Sequence, residues 1–215
     1  MNQQIEDRKQ ESQRFQLKVL ANITGVLPLV LLIGSYVRGE LGFNPVETAL
    51  QKTGQIAVVF LVVSLVITPL RRLFHIPIIH HLRKPFGLYA ALYAALHFVI
   101  FTWWDYGLDF GLIWAEISAK PFIIIGLVAL VILLVLSVTS LPSIRRKLGK
   151  SWVGLHRLTY LAGVLAILHY LLAVKGNLLT LQGNYALPLV LGTVVLVFLA
   201  LRLEFIRKLF ERETK

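Results

Sequence analysis

Apolar residues in this chain run together instead of alternating, and the polar residues gather in the gaps between the runs. Six such runs stand out, at residues 19–37, 54–70, 86–104, 121–140, 152–174 and 185–203. Each is close to the roughly 20 residues that an α-helix needs to cross a hydrocarbon core about 30 Å thick. A transmembrane strand is shorter and alternates its two faces, so barrel staves do not fit these runs. The pattern predicts an all-α membrane protein, a six-transmembrane-helix bundle. The first run follows a polar arm of mixed charge and has no small-residue cleavage site behind a short apolar core. It therefore reads as a retained span and not as a signal peptide.

The gaps carry the orientation. Arg71, Arg72, Arg83 and Lys84 lie between the second and third runs, and Arg145, Arg146, Lys147 and Lys150 between the fourth and fifth, with no acid among them. Basic short loops stay inside, so these two are expected to be cytoplasmic. The opposite loops carry Arg38, Glu40, Glu47 and Lys52, then Asp105, Asp109, Glu116 and Lys120, then Lys175. An even number of spans places both termini in the cytoplasm, which suits Arg8, Lys9, Arg14 and Lys18 at one end and Arg202, Arg207, Lys208, Arg212 and Lys215 at the other. The expected organisation is a cytoplasmic arm (1–18), a transmembrane unit (19–203) and a basic cytoplasmic tail (204–215). Pro85 and Pro121 are placed to open helices, where a missing N–H costs nothing, and Pro142 to close one. Pro28 falls inside the first helix and is expected to kink it.

Composition agrees with a bilayer as solvent. The 215 residues are 57% hydrophobic and 15% charged, against roughly 25% charged in soluble domains. The net charge of +11 does not point to nucleic acid, because the basic residues form short clusters between apolar runs and not one patch interleaved with aromatics. There are no cysteines, which excludes disulfides, zinc thiolates, iron–sulfur clusters and C-x-x-C-H haem attachment. The only methionine is Met1. A metal held inside this protein must rely mainly on the six histidines, His75, His80, His81, His97, His156 and His169. No glycine-rich phosphate loop, no H-E-x-x-H and no period of 20 to 50 residues is present. No nucleotide-binding domain is expected within these residues, since the longest stretch outside the runs is the arm of about 18 residues.

Three histidines fall inside the runs, where an ionisable side chain is costly and marks a functional position by default. His97 lies 7 residues from the outer end of the third run, and His169 lies 5 from the outer end of the fifth. At 1.5 Å per residue the two sit within roughly 3 Å in height and can face one another. His156 is 4 residues from the inner end of its run whereas His97 is 11 from the inner end of its own, a mismatch of about 10 Å. Two neutral imidazoles at one height across a helix interface meet the requirement for bis-histidine ligation of a haem iron. Ala162, Ala166 and Ala173 on the face of His169 would leave room for a flat ring, while Tyr89, Tyr93, His97 and Phe101 form an aromatic stripe at i+4 spacing. Small and aromatic residues also simply pack membrane helices. For His156, beside Arg157, an interfacial histidine with a snorkelling arginine stands against a ligand or propionate-binding role. His75, His80 and His81 read as solvated residues of a cytoplasmic loop. On an ideal helix the 13 residues from His156 to His169 turn the two rings about 140° apart, so stacking two haems in one interface calls for a bend, with Gly163 as its expected site.

The stretches RKPFGLYAALYAALHFVIFTWWDYGLDF, KPFIIIGLVALVILLVLSVTS and KLGKSWVGLHRLTYLAGVLAILHYLLAVK cover Arg83 to Lys175 and resemble the ferric-reductase-like transmembrane family. The likeness is closer to one branch, the haem-binding membrane subunit of the bacterial periplasmic system that reduces protein-bound methionine sulfoxide. The resemblance implies a b-type cytochrome of the bacterial inner membrane. It would pass electrons from quinol or a soluble flavin reductase to a separately encoded periplasmic molybdopterin reductase. It also implies FMN as a second cofactor. Residue by residue, His97, His156 and His169 match the family's haem-associated histidines; the expected arrangement has His97 and His169 as axial ligands of haem b and His156 at a possible second haem, and Arg157, which the likeness does not assign, is a candidate propionate partner. Two-haem relatives carry a further histidine on the third helix, about 13 or 14 residues before the outer ligand, where this chain has Lys84 or Arg83. The acidic outer segment from Asp105 to Lys120 is the expected docking surface for the reductase, and Arg145 to Lys150 either dock an acidic donor or only enforce topology. Two other readings stand beside this one: a direct ferric or metal reductase, and a transporter in which the histidines form a relay without haem. A relay prefers carboxylates along its path, and the cores of the first five runs contain none.

Overall fold

A computed structural model of the chain describes residues 2–174 and 183–200. Helix α1 (Asn2–Val37) is unbroken from the polar arm into the first apolar run and contains Pro28. The arm is therefore a helical extension of the first span. Its Gln, Glu, Lys and Arg residues are good helix formers, and nothing in it interrupts the ladder. Helix α2 (Pro45–Leu73) begins nine residues ahead of its apolar run because Asn44 caps it: the Asn44 side chain accepts the Glu47 N–H at 3.0 Å and Pro45 takes the first turn. The extension adds about two and a half turns and carries Leu50.

After a 3₁₀ segment, Pro77–Leu82, helix α3 (Arg83–Val99) leads into a π-helical stretch, Ile100–Asp105. Single π turns inside helices concentrate at functional sites, and this one starts three residues after His97. Helix α4 (Phe110–Ala119) lies in what the sequence presents as an outer loop; Asp109 caps it by accepting the Gly111 and Leu112 N–H groups at 2.9 and 3.0 Å. Helix α5 (Phe122–Thr139) follows Pro121 and is succeeded by the short α6 (Pro142–Leu148).

The fifth apolar run is not one helix. Helix α7 (Ser151–Leu155) ends at His156, and α8 (Leu158–Ala173) starts after Arg157. The interruption therefore sits at His156–Arg157, and Gly163, the expected bend, lies inside α8. Gly163 serves packing instead: a Cβ there would come within 2.7 Å of Leu65 Cδ1, so its absence lets α8 close onto α2.

Helix α9 (Ala186–Ala200) is apolar and 15 residues long. Among the described residues, five helical segments are long and apolar enough to cross a membrane: Glu11–Val37, Pro45–Leu73, Pro77–Asp105, Phe122–Thr139 and Ser151–Ala173. The end of the sixth apolar run, the third outer loop with Lys175 and the basic tail lie outside the described residues. The chain is a multi-pass membrane protein.

The core is a four-helix arrangement. α2 packs on α3 and α5 on α8, while α3 also packs on α5 and α2 on α8; α1 covers α3, and α9 covers α2 and α8. Ala90, Ala91 and Ala162 meet Leu61, Phe60 and Tyr93 in the buried cluster, where small side chains allow the close helix approach that packing inside a bilayer favours.

Candidate functional site: a paired-histidine centre

His97 on α3 and His169 on α8 meet inside the bundle with ring centroids 6.2 Å apart and planes at 84°. Their expected equal height is thus matched by direct juxtaposition. Each ring is anchored in the same way. His97 Nδ1 lies 2.8 Å from the Leu50 carbonyl of α2, and His169 Nδ1 lies 2.8 Å from the Phe122 carbonyl of α5. A carbonyl can only accept, so each Nδ1 is the N–H donor and each neutral ring keeps its lone pair on Nε2. Among the described residues neither Nε2 has a hydrogen-bond partner. Metal-ligating histidines commonly show this arrangement, one nitrogen tied to a carbonyl and the other free to coordinate.

Two glycines that sequence reasoning did not single out make room for the rings. A Cβ on Gly54 would lie 3.0 Å from His97 Nδ1, and one on Gly126 would lie 2.6 Å from His169 Nδ1. Gly54 is four residues after Leu50 and Gly126 four after Phe122, hence on the same helix face as the anchoring carbonyl. Carbonyl, glycine and imidazole form one unit, built twice.

The duplication extends along the chain. Leu50 to Phe122, Gly54 to Gly126, Ala90 to Ala162, Ala91 to Gly163, Ala94 to Ala166 and His97 to His169 are all separated by the same 72 positions. The packing follows it, since exchanging α2 with α5 and α3 with α8 maps each contact of the four-helix core onto another. The α2–α3 and α5–α8 hairpins are structural counterparts, each delivering one histidine. The signal was legible as Ala-Leu-His-Phe at residues 95–98 against Ile-Leu-His-Tyr at 167–170, at a period longer than those of the common repeat folds.

The other sequence-stripe residues have different duties. Tyr89 Oη donates to Asn22 Oδ1 at 3.2 Å, and Tyr93 Oη donates to the Gly25 carbonyl at 2.8 Å, so both hydroxyls hold α1 and do not point along the paired histidines. Ala162 and Ala166 are buried in the packed cluster. The structure brings them into helix packing and not into an open slot.

His156 stands apart from the pair. Its Nε2 lies 3.2 Å from Thr139 Oγ1, and the Trp152 ring stacks on it at 4.0 Å and 29°. Arg157 is exposed at the start of α8. Lys84, thirteen residues before His97 as His156 is before His169, donates from Nζ to the Ser140 carbonyl at 2.9 Å. His75 and His80 are exposed and His81 half-buried, as expected of loop residues. Among the described residues no group of three or more His, Cys, Asp or Glu side chains could hold a metal ion.

Comparison with known proteins fits this geometry. The model of the family described as ferric reductase like transmembrane component matches residues 53–167. The chain is 37% identical over 187 residues to the protein-methionine-sulfoxide reductase heme-binding subunit MsrQ of Rhodospirillum rubrum, covering 86% of each chain. It is equally similar to the MsrQ subunit of Bordetella pertussis, covering 87% of this chain and 88% of the relative. Matching at this level across most of both chains, together with the family match from residue 53 to residue 167, which takes in His97 and His156, shows that the chain belongs to the ferric-reductase-like transmembrane family and, within it, to the MsrQ family.

Proposed function

We propose that this chain is a b-type cytochrome, the electron-transfer membrane subunit of a two-component methionine sulfoxide reductase. The observation that carries the reading is the His97–His169 pair, with both Nδ1 atoms anchored and both Nε2 atoms available. A bare transition metal at a protein site takes three or four protein ligands. Two imidazoles alone suit a metal whose other positions are filled by a macrocycle, as in haem. With metal–imidazole distances of about 2 Å on either side, two ring centroids stand roughly 6 Å apart, in line with the 6.2 Å observed. His97 and His169 would hold haem b, which supplies one-electron chemistry when bound. The protein's own part is to fix both rings through the Leu50 and Phe122 carbonyls and to exclude lipid and water from the interface between the hairpins.

His156, with Arg157 beside it, is the second haem-associated position of this reading, and its Nε2 faces Thr139. Six spans with both termini cytoplasmic follow from the basic loops, in a bacterial inner membrane. Quinol or a soluble flavin reductase is the donor, and a periplasmic molybdopterin reductase acting on oxidised methionine is the acceptor. FMN is included as a second cofactor on the strength of the family likeness. The outer segment around α4 supports a docking role, since Phe110, Leu112 and Trp114 are exposed there beside its charged residues.

Reduced-minus-oxidised visible spectra and pyridine haemochromogen quantification of the purified protein test the reading. A sharp b-type α-band that disappears in His97→Ala and in His169→Ala is expected, with partial loss in His156→Ala if a second haem is present. Flavin fluorescence released on denaturing the same samples reports FMN. A colourless protein after expression with ample haem would overturn the cytochrome reading in favour of a histidine relay.

A further inference from the structure

At the basic end of the bundle, Lys84, Ser140, Pro142, Arg145, Arg146 and Gly149 line a cavity of about 360 Å³. Three cations share one small space. Among the described residues none of them has a carboxylate partner, the two ion pairs being Arg38–Glu40 and Glu116–Lys120, both at the opposite end. Like charges gathered in one small space repel, so this arrangement favours a bound anion.

Two of the three cations are held in place. Lys84 Nζ is fixed by the Ser140 carbonyl at 2.9 Å. The Arg145 guanidinium lies 4.5 Å from the centre of the Trp152 ring, a cation–π contact, and Trp152 is itself anchored by its indole N–H to the Thr139 carbonyl at 3.0 Å. Both side chains are exposed, yet each is held by a contact of its own. Arranging donors beforehand lowers the ordering cost of binding, and Arg and Lys side chains with several N–H groups suit phosphate oxygens.

The cavity also sits at a particular depth. It follows the last turn of α5, where Val138 and Leu141 are exposed at 53% and 52%, and Trp152 is of the residue type that gathers where spans meet headgroups. Basic pockets between helix ends at this level recognise anionic headgroups. We infer that the Lys84–Arg145–Arg146 cavity binds the phosphate of an anionic phospholipid whose acyl chains lie along the α5 surface at Val138 and Leu141. The inference does not depend on the haem reading.

The test is native mass spectrometry of the full-length protein titrated with palmitoyl-oleoyl phosphatidylglycerol or phosphatidylcholine. The comparison is wild type, Lys84→Gln/Arg145→Gln/Arg146→Gln and the control Arg71→Gln/Arg72→Gln, which removes charge from the neighbouring loop. Removing a basic residue near a headgroup weakens anionic lipid binding about fivefold. The triple variant should therefore lose phosphatidylglycerol adducts by about two orders of magnitude, with the control, whose arginines do not line the cavity, losing far less and phosphatidylcholine unaffected. Should the triple variant not fold, Arg146→Gln alone, which disturbs none of the contacts above, should weaken binding about fivefold. Unchanged binding in the variants, an equal loss in the Arg71/Arg72 control, or saturable binding of inorganic phosphate that phosphatidylglycerol does not displace would each overturn the assignment.

Discussion

Gly126 and His169 compete for one volume: a Cβ on the glycine would lie 2.6 Å from the imidazole Nδ1. The carbonyl that fixes this ring, Phe122, sits one turn earlier on the same helix, so the ring cannot retreat without giving up its hydrogen bond. Overpacking at such a site costs about 1–3 kcal/mol. Gly126→Ala is therefore expected to lower thermal stability and to perturb the α-band and the midpoint potential. At Gly54 the corresponding approach to His97 is 3.0 Å, and Gly54→Ala should show the same effects more weakly. Equal spectra in wild type and Gly126→Ala would dissociate the glycine from the site.

Tyr93 is fully buried and its hydroxyl donates to the Gly25 carbonyl at 2.8 Å. Tyr93→Phe removes a buried hydrogen bond between α3 and α1 worth about 1 kcal/mol. The expected result is a modest loss of stability with an unchanged visible spectrum. A shifted α-band in this variant would place the hydroxyl in the cofactor environment and not in helix packing.

Outside the spans, Lys120 bonds to Glu116 and holds its carboxyl below the ordinary 4.5, with the Tyr106 hydroxyl as a further donor. Burial, together with Glu116, pushes the Tyr106 phenol up to about 12, so it remains a donor throughout the physiological range. A carboxyl depressed in the folded state contributes stability that is present above pH 4.5 and is lost as pH falls through the depressed value. Hydrogen-exchange protection of residues 110–119, corrected for intrinsic rates, should accordingly be retained at neutral pH and fall only below pH 4.5. In Glu116→Gln it should be weaker and nearly independent of pH.

Five of the six continuous apolar runs lie in helical segments long enough to cross a membrane, because length and composition suffice for a helix with no water to satisfy its backbone, while the described part of the sixth is a shorter apolar helix, Ala186–Ala200. Equal heights for His97 and His169 followed from counting residues at a fixed rise, and the 6.2 Å approach agrees. Counting could not show α4, since an apolar helix of 10 residues is too short to stand out beside spans and Asp109 reads equally as a loop acid. Nor could it show which residue interrupts the fifth run. A glycine is the ordinary suspect, yet Gly163 lies within the continuous α8 and closely faces Leu65. Tyr89 and Tyr93 shared a face with His97 on paper, but the hydroxyls extend sideways to α1. The supporting glycines were invisible because their meaning depends on a neighbour 43 positions away.

Dividing the paired centre between two equivalent hairpins makes it a report on assembly. Either hairpin alone presents one anchored imidazole, and only the docked pair brings the two rings to 6.2 Å from each other. Whatever both rings grip then favours the docked state over any in which the hairpins have separated, by mass action. Cofactor capture and helix association become a single equilibrium, so a substitution far from either histidine that loosens the seam between α3 and α5 or between α2 and α8 should register as lost colour before it registers as lost helix.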